Sequence, residues 1–259
     1  MASHLTQNTE GAFMNLHHHG ETLSLWPDTS NMPQFEKLRE NAFADVCVIG
    51  GGIGGLTTAY LLMKEGKKVI LVESFELCSG QTGKTTAHFS NALSIRYFEL
   101  EKFHGQDGAS LAAKSHLAAI DTVEKIIRDL NIECDFERLN GYLFATGDDR
   151  QGILKKEFEA MHRAGLEVQL MPQAPIASFD TGTCLRFPRQ VQLHPLKYLS
   201  AITEAFIKGG GKIFTYTHIS EVISGTIAQV KTQDGFVVSC DSLVVATNTP
   251  INDLFAIII

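Results

Sequence analysis

Residues 44–73 read ADVCVIGGGIGGLTTAYLLMKEGKKVILVE. An apolar strand, Val46–Ile49, runs directly into Gly50-Gly51-Gly52-Ile53-Gly54-Gly55. A helical stretch follows, and a second apolar strand, Val69–Val72, ends on Glu73. Strand, glycines, helix, strand and terminal acid in this order form a dinucleotide fingerprint. Gly50 permits the tight turn off the strand, Gly52 lets backbone approach a pyrophosphate, and Gly55 allows the helix to pack closely on the sheet. The helix start, with Ile53 and Gly54, offers N–H groups and the positive end of its dipole to phosphate. Glu73, with Ser74 beside it, stands where a carboxylate accepts a hydrogen bond from a ribose 2′-OH. That favours an unphosphorylated ribose, so FAD or NAD(H) over NADP(H).

The 259-residue chain is 44% hydrophobic and 20% charged, ordinary for a soluble globular protein of one large or two interleaved domains. A net charge of −7 without a basic tract argues against a general nucleic-acid binder. No apolar run approaches the ~20 residues of a membrane span. The N-terminus lacks a basic region followed by an apolar core, so no secretory signal is expected. Cys47, Cys78, Cys134, Cys184 and Cys240 are scattered and never in CxxC spacing. That pattern fits a reducing cytoplasm and buried thiols better than disulfides or a metal site. His17-His18-His19 sits in a polar arm and reads as exposed tail rather than a ligand set, so no metal is expected.

Residues 1–43 read as a mostly irregular arm with turn signals at Trp26-Pro27-Asp28 and Asn31-Met32-Pro33. Leu77–Asn91, LCSGQTGKTTAHFSN, reads as a loop opening into a helix. Apolar positions from Ala113 through Ile120 and Ile127 to Leu130 predict an amphipathic helix over Asp107–Leu130. Asn140-Gly141 is a turn signal with a strand-like run after it. Gly152–Ala164 is helical with Gly165 as its C-cap, and prolines make Met171–Pro188 short strands and turns. A helix over Leu196–Lys208 stops at Gly209-Gly210-Gly211. Strands are expected at Lys212–Thr217, Ile219–Ser224, Ala228–Thr232 and Phe236–Ser239, with a hairpin at Asp234-Gly235. A separate apolar strand, Leu243–Ala246, then runs into Thr247-Asn248-Thr249-Pro250. This order predicts an α/β fold in which a nucleotide domain, 44–100 and 190–259, is split by an α+β domain, 101–189.

Gly80-Gln81-Thr82-Gly83-Lys84-Thr85 contains Gly-Lys-Thr, but the phosphate loop of ATPases needs a glycine where Cys78 stands. The better reading keeps this loop beside the dinucleotide, with Thr82, Gly83, Thr85 and Thr86 offering hydroxyls and N–H groups to pyrophosphate or ribitol. The alternative is a polar connection that caps a helix. Lys84 and His88 are candidates to stabilise negative charge on a reduced redox ring or to bind a carboxylate substrate; solvated side chains are the alternative. His194 lies where the insertion rejoins the nucleotide domain, a place that favours pockets, although a structural hydrogen bond would also explain it. Arg186 and Tyr142 can anchor an acidic substrate. No Ser–His–Asp, HExxH or paired-carboxylate arrangement supports hydrolysis.

These residues carry a family resemblance. The chain resembles FAD-dependent oxidoreductases of the D-amino-acid oxidase and glycine oxidase superfamily, and within it the γ-glutamylputrescine-oxidase-like branch whose members often append a Rieske iron–sulfur domain. The matching pieces are Ser24-Leu25-Trp26, DVCVIGGGIGGLTTAYLL at 45–62, SGQTGKTTAHFS at 79–90, CDFERLNGYLFAT at 134–146, LHPLKY at 193–198 and LVVATNTP at 243–250. The resemblance implies a Rossmann-like FAD domain interrupted by an antiparallel-sheet substrate domain. It implies that Gly50, Gly52 and Gly55 hold the FAD pyrophosphate and Glu73 the adenosine ribose. Val222 would touch the adenine through its backbone, and Ala246 and Thr247 would close the nucleotide site. The implied chemistry is hydride transfer from a C–N bond of an amine or amino acid to flavin N5, with the cofactor supplying the reactivity.

The family continues beyond the ATNTP segment, whereas this sequence stops at Leu254-Phe255-Ala256-Ile257-Ile258-Ile259 and holds no Cys-His pair with Rieske spacing. The expectation is therefore the N-terminal part of a longer protein, or a truncated product. Two other readings stand beside an oxidoreductase: a nucleotide-binding or interaction module without turnover, and an NAD-dependent dehydrogenase. The latter lacks its expected second βαβαβ half.

Overall fold

A computed structural model describes residues 24–145, 150–249 and 251. The His17–His19 run, Pro250 and the apolar Leu254–Ile259 segment lie outside them. The elements in chain order begin with α1 (Leu25–Asp28), β1 (Ala42–Ile49), α2 (Ile53–Lys64), β2 (Val69–Val72), a 3-10 turn (Gln81–Lys84) and β3 (His88–Phe89). The long α3 (Tyr97–Leu130), β4 (Glu137–Phe144), α4 (Arg150–Arg163), β5 (Gln169–Met171) and β6 (Cys184–Gln192) follow. The chain then forms α5 (Pro195–Lys208), β7 (Lys212–Phe214), β8 (Ile219–Ile223), β9 (Ala228–Thr232) and β10 (Val237–Val245).

Two sheets result. The larger has the order β7-β2-β1-β10-β9-β8. Its first four strands are parallel, and β10-β9-β8 is an antiparallel meander. The uninterrupted apolar runs of β1 and β2 suit a parallel sheet covered on both faces. One face packs on α2, α5 and the C-terminal half of α3, through residues such as Val48, Leu71, Leu56, Ile120, Leu199 and Phe206. The other packs Cys47, Ile49, Ile70 and Val72 against Leu38 and the meander's Ile219, Val230 and Val238. Each such fully buried side chain contributes about 1.5–3 kcal/mol from the area removed from water. The smaller sheet, β3-β6-β4 with β5 also on β6, is antiparallel. It shares a second core with α3 and α4 through Tyr97, Ala113, Met161, Leu185 and Phe187.

Several expectations need correction. The 77–91 loop leads into a 3-10 turn and a two-residue strand, not a helix, because Thr85 is extended and Ala87 takes a left-handed φ of 64°. The helix expected over Asp107–Leu130 follows a kink at non-helical Gly105, and a further helical segment from Tyr97, which was not expected, precedes it in α3. Its start is held from another element: Glu157 of α4 accepts the Phe98 N–H at 3.3 Å. Asn140-Gly141 makes a bulge inside β4 rather than a turn; a Cβ on Gly141 would lie 2.5 Å from the Phe187 ring. The two strands expected at 236–239 and 243–246 are one strand, β10, because Ser242 keeps register opposite Val46 of β1. The expected strand over Lys212–Thr217 is shorter, ending at Phe214.

Candidate cofactor site

The glycine turn leaves β1 at the edge where the parallel strands end. Gly50 takes φ +109°, a conformation that L side chains rarely adopt, and a Cβ there would lie 2.7 Å from the Ala246 carbonyl oxygen. Gly50 N–H donates to Val72 O at 2.8 Å, and Ala246 N–H to Ile49 O at 2.8 Å. The turn is thus fixed between the ends of β2 and β10, which brings Ala246 and Thr247 against it. Gly55 is the close-approach glycine: a Cβ there would fall 1.8 Å from the Gly50 carbonyl oxygen.

Glu73 and the following loop brace the turn from the other side. The Glu73 carboxylate accepts Gly51 N–H at 2.6 Å and Phe75 N–H at 3.0 Å. A carboxylate offers about four acceptor positions, so capacity for ribose hydroxyls remains. Thr82 Oγ1 accepts Ile53 N–H at 3.1 Å, which caps the start of α2. Ile53 is therefore engaged within the protein, while Gly54 and Gly55 contribute first-turn N–H groups without helical partners. Gly54 has open space around the position of a Cβ, and Gly52 lies beside Thr82. Gly83 is buried beneath the Cys78 carbonyl, and a Cβ on it would lie 2.6 Å from that oxygen.

The structure therefore gathers Gly50, Gly52, Ile53, Gly54, Gly55, Glu73, Thr82, Gly83, Ala246 and Thr247 around one turn. Ser74 follows Glu73 at its margin, half-buried. Thr85 and Thr86 are exposed farther along the loop. Val222 stands apart on β8, three strands from β1 at the edge of the sheet, and is 39% exposed.

The profile of the FAD-dependent oxidoreductase family (DAO) matches residues 45–256. The chain belongs to that family. FAD is the family's cofactor, and the N–H groups at the glycine turn with the accepting Glu73 carboxylate fit its phosphates and ribose. The chain is 30% identical over 228 residues to YhfW of Bacillus subtilis, described as a Rieske 2Fe-2S iron-sulfur protein; the match spans 88% of this chain and 45% of that relative. It is 26% identical to the gamma-glutamylputrescine oxidoreductase of Escherichia coli over 85% of this chain and 52% of that one. Among solved structures, glycine oxidase from Geobacillus kaustophilus superposes with a TM-score of 0.66 at 16% identity, over 80% of this chain and 56% of the other. The L-amino acid deaminase of Proteus vulgaris superposes with a TM-score of 0.64 at 16% identity, over 84% and 49%. This family member spans about half the length of the curated relatives it matches.

Of the three residues weighed for redox chemistry, His88 is exposed on β3 opposite Gln192 of β6. Lys84 ends the 3-10 turn and lines a cavity of ≈ 290 Å³ between the arm and the loop, with Met32, Leu77, Leu196 and Tyr216. His194 is 6% exposed and caps α5: its Nδ1 accepts Lys197 N–H at 3.2 Å, and Nε2 meets Thr29 Oγ1 at 2.9 Å. Burial holds its pKa below the ordinary histidine value, with Lys197 adding to the effect. Both ring nitrogens are engaged, so the arrangement is that of the structural alternative.

Two residues of the site escaped the motif reading. Cys78 takes a left-handed φ of 60° and donates both N–H, at 3.1 Å, and Sγ–H, at 3.4 Å, to Gly51 O. Burial pushes its thiol up to about 12, so it is a pin rather than a nucleophile. Trp26 packs on the main core and donates Nε1–H to Thr85 O at 2.9 Å. A lone tryptophan in a polar arm was the available signal for the second; a cysteine in a Gly/Ser-rich loop gave none.

Proposed function

We propose that this chain forms the cofactor-binding part of an FAD-dependent oxidoreductase that oxidises a C–N bond of an amine or amino acid by hydride transfer. The observation that carries this reading is the glycine turn, held on one side by Glu73 and Cys78 and on the other by Ala246. Gly54, Gly55 and Thr82 would face the pyrophosphate, and Glu73 with Ser74 the adenosine ribose. Thr85 and Thr86 would lie toward the ribitol. When bound, FAD supplies the hydride-accepting chemistry; the protein's part is to hold the phosphates, fix the ribose and shield the site from water. In this reading the larger sheet serves the cofactor and the smaller sheet the substrate, with 44–100 and 190–259 against 101–189 as the division except that β3 and the end of β6 cross into the smaller sheet.

A cavity of ≈ 400 Å³ on the smaller sheet supports a small-molecule substrate. Its wall includes His88, Arg96, Tyr142, Phe187 and Gln190. The described residues lining it include a guanidinium and an imidazole but no carboxylate, which suits a substrate that bears a carboxylate. Tyr142 and Arg186 are direct cross-strand neighbours, and Arg186 is held by two neutral amides, Gln169 at 2.8 Å and Asn140 at 3.3 Å. The purified chain tests this function. A yellow protein absorbing near about 450 nm, bleached anaerobically by an amine or amino acid, supports it. Yellow protein that no amine bleaches points to the non-catalytic module, and folded, colourless protein that takes up no FAD refutes both.

A further inference from the structure

The arm residues 24–31 do more than cover the core. Trp26 reaches the loop through its bond to Thr85 O, at 2.9 Å, and its ring meets His194 edge-on, with centroids 5.0 Å apart and planes at 70°. Thr29 Oγ1–H donates to Leu25 O at 2.8 Å, so its lone pair is left to accept a hydrogen bond from His194 Nε2–H, 2.9 Å away. Ser30 Oγ donates to Trp26 O at 2.8 Å, and Ser200 of α5 donates to Asn31 O at 3.0 Å, tying down the far end. The chain of contacts runs from His194 through Trp26 and Thr29 to Thr85, and along the loop to Thr82 and Ile53.

One tautomer of neutral imidazole satisfies this arrangement: Nε2–H donates to Thr29, and Nδ1 accepts from Lys197 N–H. An added proton would enter at Nδ1 and face that N–H head-on, so the cap and its contacts would break. We propose that residues 24–31 form a strap that positions the 82–86 loop, latched by neutral His194 and released when that ring takes up a proton.

Among the described residues, two charged groups act on the ring. Lys197 on α5 and Asp135 before β4 are paired with each other at 2.8 Å and act on the ring in opposite senses. Asp28 belongs to α1, Lys84 to the 3-10 turn, and Cys134 lends its carbonyl to the His194 N–H at 2.7 Å. The core side of α5 meets α2 and α3 through groups such as Leu56, Tyr60 and Val123. Burial lowers the ring's pKa, so the latch is fully closed above the free-histidine value of about 6.5 and opens as pH falls through the lower, latched value.

The strap itself needs no cofactor; only its effect on bound flavin rests on the function proposed above. Trp26 is the chain's one tryptophan, so its emission reports the latch directly in the full, cofactor-free chain. From about pH 8 to about pH 5, emission should follow a reversible acid transition while far-UV circular dichroism stays native. Protection of the 85–87 amides against hydrogen exchange, taken relative to the unstructured rate at each pH, should fall roughly two- to tenfold, the loss of about one hydrogen bond. His194→Asn keeps an acceptor for Lys197 N–H but cannot titrate; its emission should be flat with pH and its loop exchange fast throughout. Thr29→Val at about pH 8, where acid plays no part, should speed the same amides. Emission that does not titrate in the parent chain, or Thr29→Val exchange equal to the parent's, overturns the strap. Acid loss of the far-UV signal before any change in emission also counts against it.

Discussion

Replacing Gly55 by alanine adds one methyl group at the tightest point of the fold. That carbon would fall 1.8 Å from the Gly50 carbonyl oxygen and 3.0 Å from its carbon. The clashing partner is backbone, and Gly50 itself is fixed by Val72 O and by the Ala246 carbonyl behind it. Relief therefore requires α2 to move off β1 by more than an ångström, opening the core at Leu56 and Ala59, both fully buried. Overpacking of this kind costs typically 1–3 kcal/mol, and a rigid neighbour puts the expected loss at about 3 kcal/mol. For a chain of this size that corresponds to a fall of roughly 6–12 °C in Tm. Gly54→Ala is the control: nothing lies within 4 Å of its Cβ position, so its stability should be unchanged or raised by up to about 1 kcal/mol from helix propensity. Thermal unfolding of the cofactor-free proteins by circular dichroism reads both. If Gly55→Ala unfolds at the parent temperature, or if the two variants are equally damaged, the close-approach role of Gly55 is wrong.

Three further outcomes follow from the same geometry. Glu73→Gln keeps the shape of the side chain but loses charge-assisted bonds to Gly51 and Phe75; FAD affinity measured by flavin fluorescence should fall about tenfold or more, and unaltered affinity would remove Glu73 from the site. Glu157 is 1% exposed, and desolvation raises its pKa above the ordinary carboxylate value despite the N–H groups it accepts. Its folded state therefore binds a proton more tightly than the unfolded one, and its contribution to stability is lost as pH rises through the raised pKa. Glu157→Gln should accordingly flatten the pH dependence of urea unfolding between the ordinary carboxylate value and neutrality; an unchanged slope contradicts the assignment. The acid transition of Trp26 emission, absent in His194→Asn, is the third.

Much of the larger sheet was legible because its signals are local. The apolar runs of β1 and β2, the glycine turn between them and the Asp234-Gly235 hairpin each follow from residues adjacent in sequence. The same holds for the first-turn residues of α2 and for Glu73, whose spacing placed them together. What escaped depends on distant partners. The early start of α3 rests on Glu157, and the bulge at Gly141 on the Phe187 ring across the sheet. The fusion of two expected strands into β10 rests on parallel pairing with β1, which nothing near Asp241 and Ser242 announces. Cys78 and Trp26 act through single backbone carbonyls far away in sequence, and no periodicity or motif records such bonds. Val222 was assigned to the adenine by resemblance alone, and it lies on β8, three strands from β1.

Equilibrium titration of FAD into the purified, cofactor-free chain, read by quenching of flavin fluorescence, is the most direct test. Saturable binding of one FAD per chain, weakened in Glu73→Gln and abolished or strongly reduced in Gly55→Ala, is the predicted result. A folded chain that leaves flavin fluorescence unchanged, or binds equally well in both variants, would contradict the assignment of the glycine turn as the cofactor site.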